Sequence, residues 1–151
     1  MSVSPASDLS GMSMTELFRI EAEAQTQTLT SGLLSIERSE AAADKLESLM
    51  RAAHSLKGAA RIVGLNVAVG VAHAMEDCFV AAQKGALALG QAQVDLLLGG
   101  VDLIARIANT PEAEIKKWDG SGEIETFLAR SEEHTSELQS HSDLVCRLLL
   151  E

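Results

Sequence analysis

The sequence predicts an all-α protein, an up-down antiparallel four-helix bundle with an additional C-terminal helix. Three observations predict it. Apolar residues recur at alternating steps of three and four over four long stretches, the period of a helix with one buried face. No stretch shows the strict alternation of a half-buried strand. The composition is 46% hydrophobic yet only 3% aromatic, with no Tyr, which suits a core of Ala, Leu, Val and Ile between closely packed helices. The connections are short, so successive helices should be antiparallel neighbours. At 151 residues, one such domain with a single core is expected.

The elements follow in order. Residues 1–12 are Ser-rich, lack an apolar period and read as a flexible leader. Ser13-Met-Thr-Glu16 has the form of a capping box, in which Ser13 accepts from the backbone at Glu16 and the Glu16 carboxylate reaches back. A first helix is expected from Met14 to Arg38, with Leu17, Ile20, Ala24, Leu33 and Ile36 turned inward, weakened locally by Gly32 and a Thr-rich middle. After a break near Ser39, a second helix runs from about Ala41 to Val63 and stops at Gly64, the place of a left-handed C-cap. Asn66 is a candidate N-cap for a third helix to Lys84, with Gly85 as its stop and Val67, Val71, Ala74, Cys78 and Ala81 as its buried stripe. A fourth helix spans Gly90 to Asn109 through Val94, Leu97, Leu98, Val101, Leu103, Ile104 and Ile107, and Pro111 closes it. Its Gly99-Gly100 pair suits a bend or a close helix crossing. Glu112 to Trp118 reads as a short helical turn, Asp119 to Gly122 as a loop, and Glu123 to Ala129 as the start of a further helix.

Charge removes several classes of function. A net charge of −10 argues against nucleic acid, whose binding needs a basic surface to displace counterions, and against an anionic membrane. No apolar run is long enough to span a bilayer, so direct membrane insertion is not expected, and the first residues lack a signal pattern. Cys78 and Cys146 fit no ligand spacing and read as ordinary thiols, which points to a reducing cytoplasm.

The stretch that carries chemistry is Arg51-Ala-Ala-His-Ser-Leu-Lys-Gly-Ala-Ala-Arg61. Leu46, Leu49, Ala53, Leu56, Ala60 and Val63 form the buried stripe of its helix. His54 stands one position off that stripe, with Lys57 and Arg61 on the same shoulder at i+3 and i+7. Gly58 lies mid-helix, where it costs about 1 kcal/mol relative to Ala, so a close approach to the backbone is expected there. A neutral histidine with a free ring nitrogen is a nucleophile at cytoplasmic pH, and it improves when a carboxylate holds the other nitrogen. Glu76, three residues after His73 on the third helix, is a candidate for that carboxylate. By pattern alone, Glu76 reads first as half of an exposed acidic pair with Asp77, and His73 can equally be a buried spacer and Arg61 the partner of a neighbouring carboxylate. Two histidines on separate helices without a His-x-x-x-His pair argue against a metal site.

The motif His54-Ser-Leu-Lys-Gly-Ala-Ala60, preceded by Arg51-Ala-Ala, closely resembles the phosphoacceptor helix of histidine phosphotransfer (HPt) domains. The form is that of the N-terminal, P1-type domain of chemotaxis-type (CheA- or Wsp-like) hybrid histidine kinases. The resemblance continues through Arg61-Ile-Val-Gly-Leu65 and Ala72-His-Ala-Met-Glu-Asp77, and more loosely from Thr15 to Ile107. It implies an HPt domain over residues 13–129 in which His54 is phosphorylated and Glu76 holds its second nitrogen. Lys57 and His73 would complete the hydrogen-bonded cluster. Arg51 or Arg61 would attract the phosphoryl charge, and Gly58 would leave room for a partner. The implied partners are a histidine kinase catalytic domain and the aspartate of a response-regulator receiver domain. The domain would be a carrier without a cofactor of its own: it has no Gly-rich phosphate loop, so ATP and Mg²⁺ belong to the kinase domain, and Mg²⁺ also to the receiver. Two other readings are a helical interaction module without phosphotransfer and a free-standing HPt protein of a multistep relay.

From Arg130 the chain changes character. Arg130-Ser-Glu-Glu-His-Thr-Ser-Glu-Leu-Gln-Ser140 resembles an in-frame translation of a common DNA sequencing adapter. After a short variable stretch, Asp143-Leu-Val-Cys-Arg-Leu-Leu-Leu-Glu151 resembles its distal part in the same frame. Arg130 to Glu151 is therefore expected to be a non-native tail, with the natural gene product continuing differently beyond about Ala129.

Overall fold

The computed structural model describes residues 13–38, 43–85 and 87–133. Among these residues five α-helices follow one another: α1 (Met14–Arg38), α2 (Ala43–Val63), α3 (Asn66–Gln83), α4 (Gln91–Ala108) and α5 (122–133). A 3-10 turn, Glu112–Trp118, joins α4 to the loop before α5. No strand occurs among the described residues. The expected leader, the break near Ser39 and residues 134–151 of the expected tail lie outside the described residues.

Helices α1 to α4 close into a ring, α1 against α2, α2 against α3, α3 against α4 and α4 against α1, with α2 and α3 in the most extensive contact. The core holds Phe18, Leu29 and Leu33 of α1, Leu49 and Leu56 of α2, Val71, Met75 and Phe79 of α3, and Val94, Leu97, Ile104 and Ile107 of α4, all under about one-fiftieth exposed. The stripe of α2 is as expected, Val63 being half-buried, and Ala52 joins it. In α1 the phase differs. Phe18 and Ala22 face inward, whereas Ile20 and Ala24 are exposed and Leu17 is half-buried. The true stripe, Phe18, Ala22, Thr26, Leu29, Leu33 and Ile36, passes through a threonine. Its hydroxyl is satisfied locally by donating to the Ala22 carbonyl at 2.6 Å, so burying it costs little. In α3, Ala68, Ala72, Met75 and Phe79 join Val71 and Cys78 in the core, and Val67, Ala74 and Ala81 are half-buried.

The α2–α3 corner is tight. Gly64 has φ +76°, its N–H donates to Arg61 O at 3.2 Å, and the Leu65 N–H donates to Ala60 O at 2.9 Å. This is the Schellman pattern, completed by burial of Leu65. Because Leu65 is committed to the corner it becomes the N-cap residue of α3, and Asn66 is already the first helical residue with no side-chain cap. The Asn66 cap expected from sequence is corrected accordingly. At the start of α1, Ser13 Oγ accepts from the Glu16 N–H at 3.2 Å, the N-cap half of the capping box.

Two glycines set helix distances. A Cβ on Gly32 would stand 2.6 Å from Leu49 Cδ2, so α1 and α2 approach closely there. A Cβ on Gly100 would stand 2.8 Å from the Phe127 ring and 3.0 Å from Met75 Sδ. Phe127 thereby wedges α5 over the seam between α3 and α4, and Leu128 lies against Gly70. Trp118 fixes the intervening turn: its Nε1–H donates to Thr110 Oγ1 at 2.9 Å, and Arg106 lies over its ring at 5.1 Å while pairing through both guanidinium nitrogens with Glu123. Helix α5 continues past Ala129, where the tail was expected to begin, and Ser131 is buried with its hydroxyl donating to Leu128 O. Among the described residues, no helix is long and apolar enough to cross a membrane.

Candidate functional site

His54 and Lys57 stand one turn apart on α2, and Glu76 reaches them from α3 across the seam where the two helices are in most extensive contact. The Glu76 carboxylate joins the two. The His54 Nδ1–H donates to Glu76 Oε2 at 2.5 Å, since a carboxylate oxygen only accepts. The Lys57 ammonium donates to Glu76 Oε1 at 2.7 Å. Glu76 and Lys57 are largely covered, with side chains 14% and 15% exposed, whereas the His54 side chain is 69% exposed. The anchor is inside and the ring outside. Burial works to raise the Glu76 pKa, but the hydrogen bonds from Lys57 and His54, together with their charges, outweigh it and hold the carboxyl below its ordinary 4.5. Glu76 is thus a fixed anion at neutral pH. It holds one tautomer of His54 and leaves the Nε2 lone pair open to solvent.

The remaining residues singled out by sequence are not drawn into this cluster. His73 is exposed, and its Nε2 lies 3.5 Å from Asp77 Oδ2, so the structure gives it Asp77 in place of Glu76. The reason is angular: on a helix, residues four apart are offset by about 40° and those three apart by about 60° to the other side. Glu76 turns to α2 while His73 stays with Asp77. Arg51 pairs with Glu47 one turn earlier at 2.6 Å. Arg61 is exposed, and among the described residues no carboxylate pairs with it. Gly58 is half-buried, and a Cβ built there would meet nothing within 4 Å. Cys78 is core, its thiol pushed up to about 11 by burial and by the Asp77 charge. No group of three or more His, Cys, Asp or Glu among the described residues is placed to hold a metal ion.

Sequence reasoning did not pair Glu47 with Arg51 or Asp77 with His73, and it gave Ile62 no place. Glu47 and Asp77 were visible as i,i+4 partners of Arg51 and His73. Ile62 was visible as an isoleucine out of phase with the buried stripe, and it is 75% exposed.

Comparison with known proteins covers the same segment. The Hpt domain family model matches residues 13–110, which spans α1 to α4 and the whole cluster. The chemotaxis protein CheA of Treponema pallidum is 36% identical over 102 residues, 64% of this chain and 13% of its own length. The sensor histidine kinase CheAY of Helicobacter pylori is 30% identical over 95 residues, 63% of this chain and 12% of its own length. The chemotaxis protein CheA of Rhizobium meliloti is 30% identical over 125 residues, 83% of this chain and 15% of its own length. This chain therefore spans less than a sixth of these relatives. In fold it is similar to the phosphorylated P1 domain of CheA3, solved in complex with CheY6 from R. sphaeroides, with a TM-score of 0.65 at 21% identity over 80% of this chain and 97% of that one. An exposed histidine held by a glutamate across two helices of a four-helix ring, inside a segment that the family model matches from end to end, places this chain in the Hpt domain family.

Proposed function

We propose that His54 accepts a phosphoryl group on Nε2 from an ATP-dependent histidine kinase domain and passes it to an aspartate of a response-regulator receiver domain. The observation that carries this is the bond from the His54 Nδ1–H to Glu76, which frees Nε2 on an exposed ring. In loading, the Nε2 lone pair attacks the γ-phosphorus of ATP, the N–P bond forms and the bond to the ADP oxygen breaks. The ring becomes cationic, and Glu76, already anionic, steadies it through Nδ1–H. In unloading, an aspartate oxygen bonds to phosphorus, and the N–P electron pair returns to Nε2. Lys57 acts as a positioning residue, since it spans the second oxygen of Glu76 and keeps the carboxylate turned to α2. Arg51 and Arg61 supply exposed positive charge beside the incoming phosphoryl group.

The domain is a carrier, and ATP and its Mg²⁺ are assigned to a separate kinase domain, with a further Mg²⁺ on the receiver. The small share of the curated relatives that this chain covers supports its being one domain of a longer chemotaxis-type kinase that works in the cytoplasm, where ATP is available. The test is to mix the chain with an active chemotaxis-type kinase core and radiolabelled ATP. Acid-labile, base-stable label should appear on the wild type and on His73→Gln, and be absent from His54→Gln. Equal labelling of the two variants would remove His54 from the role.

A further inference from the structure

Of the two arginines beside His54, one is committed before any phosphoryl group arrives. Arg51 Nη2 donates to Glu47 Oε1 at 2.6 Å, one turn earlier on α2. No carboxylate among the described residues pairs with Arg61. The Arg51 and Glu47 side chains are 74% and 48% exposed, so water competes for both and the pair adds little net stability. It is a weak hold, and a stronger anion can break it.

That anion is the product of loading. On a helix, residues three apart are neighbours, and side chains lean toward the N-terminus. The His54 ring therefore lies over the turn that carries Arg51. With Nδ1 tied to Glu76, a group bonded to Nε2 stands away from α3, and Lys57 stays engaged on that other shoulder. Arg51 lies on the α1 side of α2, in a shallow polar groove. The charged groups facing this groove are Asp44, Glu47 and Arg51 of α2, and α1 contributes only the uncharged Gln25 and Thr28. A phosphoryl group brings about two negative charges and three acceptor oxygens. A guanidinium can take two such oxygens in parallel, which a single exposed carboxylate does not match.

We infer that Glu47 holds Arg51 in the unloaded chain and yields it to the phosphoryl group on His54, and so sets how tightly the loaded state is held. The inference rests on His54 as phosphoacceptor and adds Glu47 as a positioning residue that acts through Arg51. The covalent step is unchanged: one ion pair breaks as another forms. The attraction of Arg51 for the phosphoryl group is offset by the pair it gives up, which keeps that group easier to pass on. Glu47 has little direct effect. It lies about 10 Å along the helix from His54, and Asp44 about 15 Å, both beyond a Debye length of about 8 Å at physiological salt.

The test loads the chain with a chemotaxis-type kinase core and ATP, removes the kinase, and follows the phosphohistidine by phosphorus NMR at physiological salt. A guanidinium on the phosphoryl oxygens favours the dianion and lowers its second pKa. Arg51→Gln should raise that pKa by about half a unit, about a threefold change in proton affinity, and Glu47→Gln should lower it by up to as much. Glu47→Gln should also shift the exchange equilibrium with a receiver domain about threefold toward loaded His54. In an Arg51→Gln background Glu47→Gln should do neither, because its effect runs through Arg51. Asp44→Asn removes the same charge from the same groove and should leave both readings unchanged. The inference is overturned by an inert Glu47→Gln, by an effect that persists without Arg51 or is matched by Asp44→Asn, or by a phosphoryl pKa indifferent to Arg51→Gln. A chain that takes no phosphoryl group at His54 would instead overturn the phosphoacceptor reading itself.

Discussion

Glu76 serves two partners with one carboxylate, so its charge links two helices at the reacting ring. Its pKa is held below 4.5, and the sign of the pH effect follows. A carboxyl that is more acidic in the folded chain than in the unfolded chain stabilises the fold above the unfolded pKa. That contribution disappears as pH falls from about 4.5 through the lower folded value. Glu76→Gln should therefore lower the melting temperature at pH 7, and the gap to wild type should narrow in acid below about 4.5. A gap that stays constant from neutral to acid pH would show that Glu76 contributes no linked stability. The same variant should load about 100-fold more slowly from the kinase, the scale of a lost orienting charge. His54 and Lys57 were legible in the sequence because helical spacing and the motif agree that they share a face, and Glu76 through the family resemblance, its spacing alone suiting an acidic pair with Asp77 as well. The place of His73 was not, since a residue followed by acids three and four positions later can turn to either, and the choice depends on which one the neighbouring helix captures.

At the scale of the helix, α2 was legible almost entirely and α1 was not. The stripe of α2 contains only Leu, Ala and Val, whereas that of α1 is interrupted by Thr26, whose hydroxyl is satisfied within its own helix. A polar residue satisfied in that way is invisible to a hydrophobic period, and the phase shifts toward Ile20 and Ala24. The Gly99-Gly100 pair suited either a bend or a crossing, and the structure assigns the crossing to Gly100 alone. Gly99 is exposed, with nothing within 4 Å of a built Cβ. Gly99→Ala should raise stability by up to about 1 kcal/mol, the helix propensity gained. Gly100→Ala gains the same propensity but drives a methyl against the buried Phe127 ring and Met75, and overpacking of this kind costs about 1–3 kcal/mol. It should lower stability. Urea titrations of the two neighbours should move in opposite directions, and parallel shifts would refute the assignment of the crossing.

At the scale of the whole molecule, the matched segment ends at residue 110 but the core does not. Ile124 and Phe127 of α5 are each only 5% exposed and belong to the core, Phe127 lying over the seam between α3 and α4. Burying two such side chains contributes about 1.5–3 kcal/mol each, part of which the ordering of α5 consumes. A chain ending at Thr110 should keep its helical spectrum but lose about 3 kcal/mol, read as an earlier urea midpoint. An unmoved midpoint would mean that α5 only rides on the bundle. The connecting turn carries a further consequence. The sequence contains one Trp and no Tyr, so the near-ultraviolet emission of this protein comes from a single indole. That indole is clasped between Arg106 and Thr110, beside α4, the helix diagonal to α2 in the ring. Its fluorescence is a built-in lamp for the fastening of the C-terminal segment, dark to events at His54, and it allows the two ends of the molecule to be timed separately without any label.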